Sequence, residues 1–328
     1  MTEDNQTSNA ELTAARTGIA LYDRTHWGRI EVSDADRLNF LHNQSTNDFK
    51  SRKPGEGCDT VFVTSTARTI DLATAYILDD SVLLLVSPGM TEKIISFLDR
   101  YIFFADKVKL ADVTNTTIAF SLLGEQSHTA LEKLGANDLI HQPYGSHQVV
   151  AISGEPVRIA VGSGLASPGY TLIADAAHKD ALQTALLETG AVTICDRTWE
   201  ILRIEQGRPV PSAELTDDYN PLEAGLWHTI SFNKGCYIGQ ETIARLDTYK
   251  GVKQQLWGVK LAQPTEPGAI VKLGEEKIGI LTSAIATDSG TIGLAYIRTK
   301  SGGAGLTVTL DDQPADLIDV PFLTRDKI

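Results

Sequence analysis

Ser231-Phe-Asn-Lys-Gly-Cys-Tyr-Ile-Gly-Gln-Glu241, continued by Thr242-Ile-Ala-Arg245, is the stretch from which the rest of the chain is read. Two glycines bracket a thiol, Cys236, and Lys234 stands two residues before it. Glycine lets backbone approach a ligand closely, and a nearby cation or helix N-terminus favours thiolate over thiol. The polar run 240–245 has the pattern of a helix start, so the segment predicts a loop presenting Cys236 at the head of a helix, with Lys234 as its electrostatic neighbour. The alternative is a small buried hydrophobe at a tight turn, which is how most free cysteines pack. One cysteine does not build a cluster site, and neither Cys58 nor Cys195 stands at metal-ligand spacing from it. No resident metal is expected.

Outward from this segment, 196–206 reads as a helix with Asp196 as N-cap and Gly207 as its stop. The Pro- and Asp-bearing stretch 208–223 is a long loop, and structureless loops beyond about 12 residues are uncommon in compact domains and often functional. Its acids, 214–218, are expected to form a solvated face. On the C-terminal side, short strands at 256–261, 269–273, 277–286, 292–296 and 306–310, punctuated by Gly and Pro, predict a small all-β barrel or sandwich. On the N-terminal side, helices at 11–16, 91–101 and 126–134 and strands at 27–32, 60–64, 70–78, 82–86 and 118–122 read as an α+β body. Ser33 or Asp34 is expected to cap a helix carrying Leu38, Phe40 and Leu41. Strands at 149–152, 157–161 and 170–173 and a helix at 176–187 repeat that alternation. Three domains are therefore expected: 11–115, 116–250 (intertwined with the first and holding the thiol segment) and the barrel, 251–328.

Composition narrows the function classes. The 328 residues are 42% hydrophobic and 22% charged, ordinary globular values. A formal net charge of -13 and a pI near 5.0 oppose tight binding to a polyphosphate backbone, so nucleic acid is not expected as a direct ligand. A local basic patch is compatible with that balance. Three dispersed cysteines point to a reducing compartment. The polar start, 1–10, lacks an apolar h-region, and no stretch reaches the roughly 18 apolar residues of a membrane span. A cytosolic protein is expected, or a stromal or matrix one if a transit peptide has been removed.

Lys234-Gly-Cys-Tyr-Ile-Gly-Gln-Glu241 resembles the signature of the YgfZ family of folate-binding iron–sulfur biogenesis proteins. Arg203-Ile-Glu-Gln-Gly207, Asn220-Pro-Leu-Glu-Ala-Gly-Leu226 and the β-rich tail are similar to the wider aminomethyltransferase superfamily. The resemblance implies an α+β, three-domain ring with a C-terminal β-barrel, holding tetrahydrofolate or a one-carbon derivative. It implies Glu205 as the carboxylate that would pair with the pterin N–H and exocyclic amine, a charge-assisted geometry. A solvated surface charge is the other reading of Glu205. Arg203 and Gln240 are carried over as ligand contacts by position, and Asp71 as the acid near the folate nitrogen, though Leu72 stands where the aminomethyltransferases commonly show a second acid. Where those enzymes usually have an acid and a cation around their aromatic-x-Gly, this chain has Cys236 and Gln240. The implied role is an accessory factor for iron–sulfur client proteins, including those that modify transfer RNA, rather than a conventional enzyme. The alternative is an aminomethyltransferase of the glycine-cleavage type. Trp199, Trp227, Phe232 and Tyr237 are candidates for stacking on the ligand or for the core, and His228, with no second ligand nearby, is expected to be structural.

Overall fold

Long apolar runs form strands wherever both of their faces are covered, and the first third of the chain is built that way. The computed structural model describes residues 9–327; most of the polar start, residues 1–8, lies outside the described residues. In chain order, α1 (Asn9–Thr17) precedes β1 (Ala20–Asp23), β2 (Gly28–Ser33) and α2 (Arg37–Gln44). Then come β3 (Gly57–Val63), β4 (Thr69–Ile77), β5 (Ser81–Val86), α3 (Thr91–Asp99), β6 (Lys109–Asp112), β7 (Thr117–Leu123) and α4 (Ser127–Lys133). They are followed by β8 (His147–Ile152), β9 (Glu155–Val161), β10 (Gly169–Asp175), α5 (Lys179–Glu188) and β11 (Val192–Thr193). The remainder comprises α6 (Asp196–Gln206), α7 (Gln240–Thr248), β12 (Gln254–Leu261), β13 (Ile270–Leu273), β14 (Glu276–Thr287), β15 (Gly290–Arg298), β16 (Thr307–Leu310) and β17 (Gln313–Ile318).

These strands make three sheets: five strands in the order β3-β4-β5-β2-β6, six in the order β11-β1-β7-β10-β9-β8, and a closed barrel β12-β15-β14-β13-β16-β17. Every residue of β3, β4 and β5 is buried, as expected of strands with no solvent face. In the six-stranded sheet β1 pairs antiparallel with β7 and parallel with β11, so chain from the start of the protein completes a sheet built mainly from residues 117–175. Its core includes Leu21, Phe120, Ile159, Leu172 and, from α5, Leu182 and Leu186.

By chain contacts there are two compact units, residues 1–60 with 72–199, and residues 61–71 with 200–328. Three domains were expected, divided at 115/116 and 250/251. In this division most of the two α+β sheets falls in one unit, and the boundary at 199/200 lies inside α6. Residues 61–71, the turn between β3 and β4 with the strand ends beside it, belong to the second unit.

In the second unit the barrel closes where β17 pairs with β12, Gly258 opposite Ile318 and Leu261 opposite Ala315. Inward-facing Val259, Val271, Leu281, Ile297, Leu310 and Leu317 fill it. Closure removes sheet edges, and short alternating strands suffice because each buries only one face. β17 was not anticipated from sequence: Gln313-Pro-Ala-Asp-Leu-Ile318 has little β character of its own, and only pairing on both sides makes it a strand.

Candidate functional site

The thiol segment lies wholly in the second unit, pinned at two points. Tyr237 and Ile243 are buried with Ala67, Leu222, Trp227 and Ile230. Gly239, at φ 80°, turns the chain into α7. A Cβ there would lie 2.9 Å from the Thr64 carbonyl oxygen and 3.1 Å from Ala67 Cα, so the second glycine of the segment is required by backbone packing. With Tyr237 directed inward, Cys236 faces outward and is exposed. The buried-hydrophobe reading of this cysteine is therefore corrected: anchoring is done by its neighbour. Lys234 Nζ stands 4.6 Å from the Tyr237 ring centroid, a cation–π contact that holds the ammonium on the thiol loop. Burial drives the Tyr237 hydroxyl pKa well up, removing it as an acid or base near neutrality. Gln240, half-buried, opens α7.

On α6 the run 201–204 is buried throughout, while Glu205 is half-buried. Arg203 and Glu205 are two residues apart, so they project from different sides of the helix. Arg203 Nε donates to Glu200 Oε2 (2.7 Å), Nη1 to Glu214 Oε2 (3.3 Å) and Nη2 to Ser283 Oγ (2.9 Å), with a further Nη2 bond to Glu200. Burial opposes its charge, but Glu200 and Glu214 more than offset that and raise its pKa. Glu214 is fully buried and also accepts from Val210 N (3.1 Å), Thr282 Oγ1 (2.7 Å) and Ser283 Oγ (2.6 Å). Its backbone oxygen accepts from Tyr296 Oη at 2.8 Å, and Tyr296 stacks on Tyr219 with centroids 3.5 Å apart.

The expectation that 214–218 is a solvated face thus holds for Asp217 and Asp218 but fails for Glu214. A carboxylate between an arginine and two barrel hydroxyls gains enough hydrogen bonds to stay inside. Composition hid this, because the partners are about 70 residues away. The one local hint was Arg203 eleven residues upstream.

Asp71 is fully buried on β4, beside Leu72. Among the aromatics, Trp199 is stacked on Tyr22 in the first unit (centroids 4.4 Å), and Trp227 packs against Phe232 (5.8 Å), so both serve packing. His228 Nδ1 is 3.0 Å from Thr324 Oγ1, a structural role. Among the described residues, no three or more His, Cys, Asp or Glu side chains gather as a metal-holding group.

Residues 2–234 match the profile of the GCVT N-terminal domain. A chloroplastic protein of Arabidopsis thaliana that bears the provisional name transferase is 47% identical over 317 residues, covering 96% of this chain and 73% of that one. The aminomethyltransferase of Desulforamulus reducens is 28% identical over 330 residues, 97% of this chain and 90% of its relative. Among solved structures, the glycine cleavage system aminomethyltransferase T of Bartonella henselae superposes with a TM-score of 0.84 at 19% identity, over 97% of this chain and 90% of that one. That likeness establishes the aminomethyltransferase-like α+β fold with its closed C-terminal barrel. On fold and sequence together, the chain belongs to the family of the GCVT N-terminal domain.

Proposed function

We propose that this protein binds tetrahydrofolate, or a one-carbon derivative of it, and supports the assembly or repair of iron–sulfur enzymes, including those that modify transfer RNA, with Cys236 as its working thiol. It is a reading of YgfZ type within the GCVT family. The observation that carries it is the exposed Cys236 on a loop turned at Gly239 and anchored by buried Tyr237, where the aminomethyltransferases usually have an acid.

The donor chemistry fits the ligand. Glu205 is a half-buried carboxylate suited to the paired N–H groups of a pterin edge. Asp71 is a buried carboxyl on a strand segment of the same unit. Arg203, carried over as a contact, acts here by bracing α6 against Glu214 and so orienting the helix that carries Glu205. Gln240, neutral where a cation is usual, would offer hydrogen bonds without charge. When bound, tetrahydrofolate would supply a carrier for a one-carbon unit. Lys234, over the Tyr237 ring, keeps positive charge on the thiol loop. The chloroplastic name of the Arabidopsis relative favours an organelle stroma among the compartments expected from sequence.

Anaerobic calorimetric titration with tetrahydrofolate tests the folate reading. Saturable binding is expected for the wild type, weakened at least about tenfold in Glu205→Ala. No binding by the wild type would remove it. The thiol is tested separately: Cys236→Ser should bind folate normally yet fail to restore iron–sulfur enzyme activity in a strain lacking this gene.

A second reading, methylene transfer from a lipoyl carrier, is favoured by the Desulforamulus aminomethyltransferase matching over 97% of this chain. Turnover with a lipoylated carrier protein would establish it in place of the first.

A further inference from the structure

A cleft of about 760 Å³ in the second unit is lined by the β3–β4 turn, the 208–223 loop, the entry to β12 and the end of β15 with the turn after it. Four cations stand in its wall, Arg68, Lys253, Arg298 and Lys300, against two acids, Asp218 and Glu223. The chain as a whole carries 29 Lys and Arg against 42 Asp and Glu. The cleft therefore reverses the charge balance of the protein locally.

Of its acids, Asp218 is exposed and Glu223 is buried, where burial raises its carboxyl pKa against the opposing pull of Arg68 and Lys253. Arg68 Nη1 donates to the Asp218 backbone oxygen at 2.8 Å. Arg298 Nη1 (3.4 Å) and Lys300 Nζ (3.0 Å) converge on one oxygen of Glu276, two cations on a single carboxylate, which leaves a positive charge over. Lys253, Arg298 and Lys300 are exposed, so their ammonium and guanidinium groups are accessible to a ligand. Like charges gathered around one concavity raise its potential and draw in an anion.

We propose that this cleft binds a small ligand bearing two or more separated anionic groups, carboxylates or phosphates, held by Lys253, Arg298, Lys300 and Arg68. Spaced anionic oxygens along a chain are what flexible lysines and planar guanidinium forks recognise together. A γ-glutamyl chain attached to a folate and the polyphosphate of a nucleotide are the two sources of such chemistry. The first source rests on the folate reading above, and Arg68 directly precedes β4, the strand carrying Asp71. The second source is independent of it.

The test titrates the full-length protein at low salt with tri-γ-glutamate and, separately, with inorganic tripolyphosphate. The triple variant Lys253→Gln, Arg298→Gln, Lys300→Gln is run beside it, with the single reversal Lys300→Glu as a milder second variant. Saturable binding of at least one probe is expected, weakening as salt rises and falling at least about tenfold in the triple variant at an unchanged melting temperature. Preference for tri-γ-glutamate assigns the glutamyl source, and preference for tripolyphosphate the nucleotide source. Binding of neither probe, or binding that both variants leave unaltered, overturns the proposal. Neither probe contains a pterin, so the result stands apart from the outcome of the tetrahydrofolate titration with Glu205→Ala.

Discussion

Buried charge decides the most at the scale of single residues. Glu214 joins Arg203, Thr282 and Ser283, and truncating one partner of a buried pair leaves the other uncompensated. Glu214→Ala is expected to lower unfolding free energy by about 3–5 kcal/mol in chemical denaturation. A loss within the range of surface substitutions would show that the network does not hold the loop. Cys236→Ser, at an exposed site, should leave the same denaturation curve unchanged. His147 supplies a pH dependence. Burial lowers its pKa to about 4, helped by Arg158, whose Nη1 donates to Nδ1 at 2.8 Å. Between pH 6.5 and 4 the unfolded chain takes up the proton and the folded one does not, so stability is full above pH 6.5 and falls as pH drops towards 4, by up to about 1.4 kcal/mol per pH unit. In His147→Gln the slope of stability against pH over that window should flatten; an unchanged slope would assign the pH dependence to other groups.

Helix and strand ends show how far local signals reach. The predicted helix 196–206 matches α6, and Gly207, at φ 87°, ends it with its N–H on the Arg203 oxygen. A Cβ at Gly207 would fall 2.4 Å from Val320 Cγ2, so that stop is also a packing requirement between α6 and the chain after the barrel. Gly239 acts likewise at the head of α7. Gly239→Ala should cost about 1–3 kcal/mol, from the left-handed φ and the Thr64 contact, and reduce hydrogen-exchange protection over 240–248. A neutral outcome would mean the thiol loop has another way to turn. The helix expected over 176–187 starts instead as a short 3-10 turn, Ala176–His178, before α5, and Asp175 caps that turn by accepting from Ala177 N. The apolar spacing of the helix was legible in the sequence; the cap and the tighter first turn were not.

For the whole molecule, closure of the barrel depends on its last strand. Removing residues after 312 would unpair both β12 and β16 and strip Val320 and Leu323 from the glycines they cover. The shortened chain should lose amide protection across β12 and β16 and aggregate through the opened edges; retained protection would show that five strands suffice. Length, composition and the alternation of apolar residues settled the α+β body, the β-rich tail and most element positions, because hydrophobic period is a property of neighbouring residues. The glycine-flanked thiol, Cys236 with Lys234, and the two-residue offset of Arg203 from Glu205 were likewise visible in the order of residues. Only the tertiary structure turned Cys236 outward, drew Glu214 inside, committed Arg203 to it, recruited β17 to seal the barrel and gathered four cations into one cleft of an acidic protein. Each of these depends on partners distant in the chain, and whether a charge is solvated, paired or crowded by its like is set by what folding brings beside it.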